Sequence, residues 1–112
     1  MAKVIITKDL EKEINRIIKK ESIDIFELML TLENNPKNGK EVGNVGAIIV
    51  REIKYKKYRF YFITEGYKVK FLKIDELKDL IIKFVRMSDK NTQKKTINEI
   101  KNVLRKLDGF EF

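Results

Sequence analysis

The chain contains no cysteine and no histidine. The first absence excludes disulfides and thiol chemistry. The two together argue against zinc sites of the usual type, whose ligands come mainly from these residues. No metal or cofactor is called for, and acid–base chemistry must use Lys, Arg, Tyr, Asp or Glu. No apolar run approaches the roughly 18 residues of a membrane span. The N-terminal stretch Met1–Asp9 turns polar too soon for a signal peptide, so a cytoplasmic protein is expected. Proline occurs once, at Pro36. Acidic residues are the minority, 17 against 25 Lys and Arg, which leaves a formal net charge of +8.

A length of 112 residues fits one domain, residues 1–112, and 43% hydrophobic content is ordinary for a globular protein. The positive balance favours an acidic partner, nucleic acid first and an acidic protein second. Lysine enrichment from genome composition or a hot habitat is the plainer source of the same charge. It accounts less well for the stretch Val50–Ile63. There, apolar and aromatic residues alternate with Arg51, Lys54, Lys56, Lys57 and Arg59 over two strand-like runs. A basic sheet face with interleaved tyrosines can hold a phosphodiester backbone and stack a base.

Elsewhere the pattern predicts an α+β fold. Val4-Ile5-Ile6 reads as a first strand. Leu10, Ile14, Ile17 and Ile18 share one face of a helix over 9–20, capped by Thr7 or Asp9. Ser22 caps a second helix to about Glu33, with Ile25, Phe26, Met29, Leu30 and Leu32 on its apolar side. The two make an αα-hairpin. Asn34–Lys40 is a loop, and Gly43 and Gly46 flank a turn into a strand at about 47–55. Lys57–Ile63 is its partner, Thr64-Glu65-Gly66 a hairpin turn, and Tyr67–Ile74 a further alternating strand. Leu77, Leu80, Ile81 and Phe84 have helical spacing to about Met87; the competing reading is a strand over 80–85. A last helix spans Thr96–Leu107. The sum is an αα-hairpin on one face of a four-stranded, mostly antiparallel sheet, followed by C-terminal helices.

Three segments carry a resemblance. Asn34–Gly43 looks like the loop that follows the second helix in the RelE/ParE toxin superfamily. Glu52–Phe62 resembles the central hairpin of its HigB-like branch, without gaps. Lys90–Lys95 with Glu99-Ile100 is similar to that branch's basic segment before the last helix. The chain departs from the pattern at Lys54, where the branch usually has Arg. It also departs in a segment inserted around Asp75–Leu80 and in Thr96-Ile97, where a proline is usual. The resemblance implies a RelE-like fold and the toxin of a type II toxin–antitoxin pair. Many such toxins are endoribonucleases that cut messenger RNA on the ribosome. The implied partners are a small antitoxin protein and RNA, with no membrane. The ParE branch poisons DNA gyrase instead, and some relatives keep the fold without catalysis; both stand as alternatives.

Cutting RNA with its own 2′-hydroxyl requires deprotonation of that oxygen, stabilisation of phosphoryl charge and help for the departing 5′-oxygen. Arg and Lys supply the second through charge-assisted bonds. A lysine repelled by neighbouring cations has a reason to titrate lower. The candidate catalytic residues are Arg59, Lys54 and Arg86. Arg51, Lys56, Lys57, Tyr61, Lys90, Lys94 and Lys95 are candidates for RNA binding. Strand parity puts Arg59 and Tyr61 on one face and Tyr58, Phe60 and Phe62 on the other, under the helices. Most have a plainer alternative. Arg59 could form an ion pair with Glu52 or Glu65, and Tyr61 could pack. Lys56 and Lys57 could be a solvated turn, and Arg86 a solvated helix face. Lys90, Lys94 and Lys95 could simply attract phosphate. Glu52 is either a general base or the neutralising partner of Lys54 or Arg59.

Overall fold

Strand β1 (Lys3–Ile6) is the first of five that the described residues form in one mixed sheet, ordered β1-β5-β4-β3-β2. The others are β2 (Lys40–Val45), β3 (Ile48–Tyr55), β4 (Tyr58–Glu65) and β5 (Ile81–Ser88). β1 lies parallel to β5 and the remaining pairs are antiparallel. Among the described residues four helices accompany them: α1 (Lys8–Ile17), α2 (Ser22–Leu30), α3 (Gly66–Phe71) and α4 (Gln93–Lys106). This computed structural model describes residues 1–107 and 112.

The Thr7 hydroxyl caps α1 by accepting from the Leu10 N–H at 3.4 Å. Leu10, Ile14 and Ile18 are buried, but Ile17 stays 43% exposed. α2 buries Ile25 and Met29 and leaves Leu30 outside. Its N-cap is Glu21, not the expected Ser22, whose hydroxyl donates to the Lys19 carbonyl instead. The αα-hairpin packs on Phe60, Phe62, Ile82 and Phe84, with the Phe62 and Phe84 rings 5.0 Å apart. The all-aromatic side of β4 is therefore the core beneath α1 and α2. Gly39 makes a close approach here. Its φ of +106° suits glycine, and an added Cβ would lie 2.9 Å from the Phe62 ring.

The sheet has five strands rather than four, and two segments exchange roles. Residues 67–74, expected as a strand, hold α3 and a 3-10 turn at Ile74–Glu76. The expected hairpin turn at 64–66 is the end of β4 and the start of α3. Residues 77–87, expected as a helix, hold β5. The cause is burial on both sides. β5 lies between β1 and β4, sends Ile82 and Phe84 into one core and Val85 into the other, and so reads as a continuous apolar run. β2 was hidden within a stretch read as loop and turn, because an edge strand with Gly43 and exposed Asn44 carries little apolar signal.

A second core covers the opposite face, where Ile100 and Leu104 of α4 meet Val50, Tyr61, Ile63 and Val85. Helices thus lie on both faces of the sheet, contrary to the one-sided arrangement expected. A single C-terminal helix takes that place among the described residues.

Candidate nucleic-acid interface

The basic hairpin is β3 and β4 joined at Lys56-Lys57. Lys56 takes φ +53°, a left-handed conformation that non-glycine residues seldom adopt. Register then decides which side chains meet. Lys54 lies opposite Arg59, Glu52 opposite Tyr61, Tyr61 opposite Arg86 and Arg59 opposite Ser88. Directly opposed residues share a sheet face. All six therefore lie on the face away from the αα-hairpin.

Exposure falls steeply along this set. Lys54 is exposed, the Arg59 side chain retains 12%, and Tyr61 is fully buried. Arg59 is anchored rather than free. Its Nη1 donates to the carbonyls of Tyr58 at 3.3 Å and Lys56 at 3.5 Å, while Nε stands 3.6 Å from Glu52 Oε2. Of the two expected acidic neighbours, it is Glu52 that faces Arg59. Glu52 Oε2 is buried and accepts no hydrogen bond among the described residues, so its neighbouring charge is Arg59.

The Tyr61 hydroxyl shares a 2.8 Å hydrogen bond with Ser88 Oγ. Burial pushes its pKa above the ordinary tyrosine value, helped by the Glu52 carboxylate; Ser88 and Arg59 pull the other way. A base cannot stack on a ring so enclosed, so Tyr61 is a packing and hydrogen-bonding residue here. Ser88 was not singled out from sequence, since its meeting with Tyr61 is visible only once 81–88 is a strand.

Arg86 is on strand β5, not on a helix face. Its Nη1 donates to the Val85 carbonyl at 2.8 Å, and its guanidinium carbon lies 4.7 Å from the centre of the Phe112 ring. Arg51 points to the opposite face and donates to the Lys37 carbonyl at 2.7 Å, away from this set. Lys56 turns toward α2 and pairs with Glu21 at 2.6 Å. Lys57 lies over the Tyr58 ring at 5.4 Å. Lys90 is exposed in the β5–α4 loop. Asp89 shapes this loop by accepting from the Asn91 N–H at 2.8 Å and from the Thr92 N–H and hydroxyl. The Asn91 N–H, then the Thr92 hydroxyl, hold the Asp89 carboxyl below its ordinary pKa. Lys94 and Lys95 are exposed in the first turn of α4. The fold thus brings together Lys54, Arg59 and Arg86 on one face, and spreads the remaining cations around its margin.

No helix among the described residues is long and apolar enough to cross a membrane. No family model matches the chain, and neither does any curated protein or solved structure.

Proposed function

We propose that this chain is the RelE-like toxin of a toxin–antitoxin pair, an endoribonuclease that cuts messenger RNA on the ribosome. One observation carries the reading: Lys54 stands directly across from Arg59 on the same sheet face. Like charges so placed destabilise a sheet, and a bound anion relieves the repulsion. The nearby acid, Glu52, is buried and faces Arg59 rather than Lys54. Lys54 therefore remains an open cation backed by a fixed one.

In the proposed reaction the 2′-hydroxyl gives its proton to solvent as its oxygen attacks phosphorus, the bond from phosphorus to the 5′-oxygen breaks, and the 5′-oxygen takes a proton from Lys54, which solvent restores. Arg59, held by two carbonyls and Glu52, is preorganised to meet developing phosphoryl charge. Lys54 is the exposed proton donor beside it. Arg86 lies on the same face, with the Phe112 ring against one side of its guanidinium. A small acidic antitoxin is the proposed protein partner, since a basic surface with apolar margins suits an acidic amphipathic segment.

A non-catalytic RNA- or protein-binding role is the second reading. The enclosure of Tyr61 favours it, because it withholds a phenol from proton transfer. Induced expression with mapping of transcript ends tests both. The toxin reading expects growth arrest with cut messages, abolished in folded Arg59→Ala and Arg59→Lys proteins. A lysine cannot reproduce the planar two-bond grip of arginine. Arrest with intact messages and broken DNA would point to a gyrase poison. No arrest and no cutting would leave the binding role.

A further inference from the structure

We infer that a second basic surface, at the end of α1, is a groove for single-stranded RNA running up to the Arg59 end of the sheet. The inference rests on the RNA-binding part of the function proposed above, but not on cleavage. Two adjoining hollows of about 560 and 630 Å³ share Ile17, Lys57 and Tyr58 as a common wall. Each has the size of a pocket that takes a nucleotide-sized ligand. One extends along the end of α1 past Arg16, Lys19 and Lys20, the other along the β5–α4 loop past Met87 and Lys90.

The occupant follows from charge and shape. Three acids line these hollows: Glu21 is held by Lys56, Asp89 by the loop N–H groups and the Thr92 hydroxyl, and Glu13 forms no ion pair among the described residues. Arg16, Lys19, Lys20, Lys57 and Lys90 form no ion pair among the described residues. With Lys56 included, the two linings carry six cations against the three acids Glu13, Glu21 and Asp89, so the surface is net positive. Its floor is apolar: Ile17 is 43% exposed although it belongs to an amphipathic helix, and the half-buried Tyr58 ring and Met87 lie beside it. Cations over an apolar and aromatic floor are what a flexible phosphate backbone with flat bases needs. An acidic peptide would use the cations but not the flat floor.

The groove is also joined mechanically to the candidate site. Arg59 donates to the carbonyls of Lys56 and Tyr58, both residues of the groove wall. Ser88 lines the groove and bonds Tyr61 on the other face. A strand lying in the groove passes around the ends of β4 and β5 toward Lys54 and Arg59.

The test uses the full chain and a fluorescein-labelled single-stranded RNA of about 12 nucleotides, followed by anisotropy over a salt series. The Lys19→Ala/Lys20→Ala/Lys57→Ala variant is compared with a control lacking the same charge elsewhere, Lys8→Ala/Lys12→Ala/Lys78→Ala. The expected result is at least a tenfold loss for the groove variant. Its slope of log affinity on log salt should flatten by roughly 0.7 per lysine removed, or about 2. The control should retain affinity within about twofold. Melting curves verify that both variants are folded. Equal losses in groove variant and control would reduce the effect to net charge and overturn the groove. So would a parent that ignores RNA but binds a polyglutamate peptide. RNA cutting is scored in parallel: binding lost from the groove variant with no cutting by the parent removes the nuclease and keeps the groove. Cutting by a groove variant that still binds as the parent does removes the groove and keeps the nuclease.

Discussion

Replacing Glu52 by glutamine keeps its shape and removes its charge, which isolates what the acid does for Arg59. The two side chains are 10% and 12% exposed with 3.6 Å between Nε and Oε2. At an effective dielectric constant near 20, unit charges at that distance attract by roughly 4–5 kcal/mol before desolvation is counted. Desolvation is poorly offset here, since Oε2 lacks a hydrogen bond. Removing one partner of a fully buried pair costs about 3–5 kcal/mol. For this looser pair Glu52→Gln is expected to cost about 2 kcal/mol, or about 8 °C in melting temperature at this chain length. Part of that cost is the repulsion between Lys54 and Arg59, then unopposed. Arg59→Met alone should cost a similar amount by stranding the carboxylate. The double variant should recover much of the loss, with a coupling of about 1.5–2 kcal/mol. Urea unfolding followed by circular dichroism measures all four proteins. The coupling should persist at about 0.5 M salt, because screening acts weakly on enclosed charges. Single effects that add within about 0.5 kcal/mol would refute the reasoning. Arg59 would then be oriented by the Lys56 and Tyr58 carbonyls alone.

Other expectations follow from the same geometry. Tyr61→Phe leaves the buried Ser88 hydroxyl without its 2.8 Å partner, and should cost about 1–2 kcal/mol in urea unfolding. Gly39→Ala should destabilise by more than about 1 kcal/mol, since the new Cβ meets the Phe62 ring at a φ of +106°; a neutral result would refute the close contact. Asp89→Ala should lower the melting temperature at neutral pH. The folded-state pKa of Asp89 is depressed, so its stabilisation is complete above the ordinary value of 3.8 and is lost as pH falls through the folded value. The gap between parent and variant should therefore close below about pH 4, and a gap unchanged in acid would refute the role of the Asn91 and Thr92 donors.

Much of this architecture was legible in the residues, and the failures have physical causes. The periodicity of Leu10, Ile14 and Ile18 located α1, and the alternation across Val50–Ile63 located the hairpin and the facing of Arg59. Tyr67, Val69 and Phe71 alternate like a strand, yet of these three only Val69 is buried in α3, while Tyr67 and Phe71 remain 68% and 72% exposed. Their period did not mark a core face. Residues 81–85 lost their period because both sides of β5 are covered. Register was legible within the hairpin, where the turn dictates it. It was hidden for Ser88 and Arg86, whose partners on β4 depend on the bulge between Tyr61 and Phe62. The groove at the end of α1 was invisible because Ile17 fits the helical core pattern and only the assembled fold leaves it outside.

The placement of β1 has a consequence for the timing of synthesis. It leaves the ribosome ahead of the other strands of this sheet, and its pairing partner, β5, follows all of them, with Lys3 set against Ile81. Closing so long a loop is entropically unfavourable until β5 is present to accept the pairing. The αα-hairpin likewise rests partly on Ile82 and Phe84 of that strand. The nascent chain therefore carries the basic hairpin long before it can complete the surface around it. Ser88, which joins the candidate site to the groove, emerges at the end of the strand that closes the sheet. If the chain is the toxin proposed, its order of assembly delays its action until β5 has been made, leaving an interval in which a partner already present can meet it first.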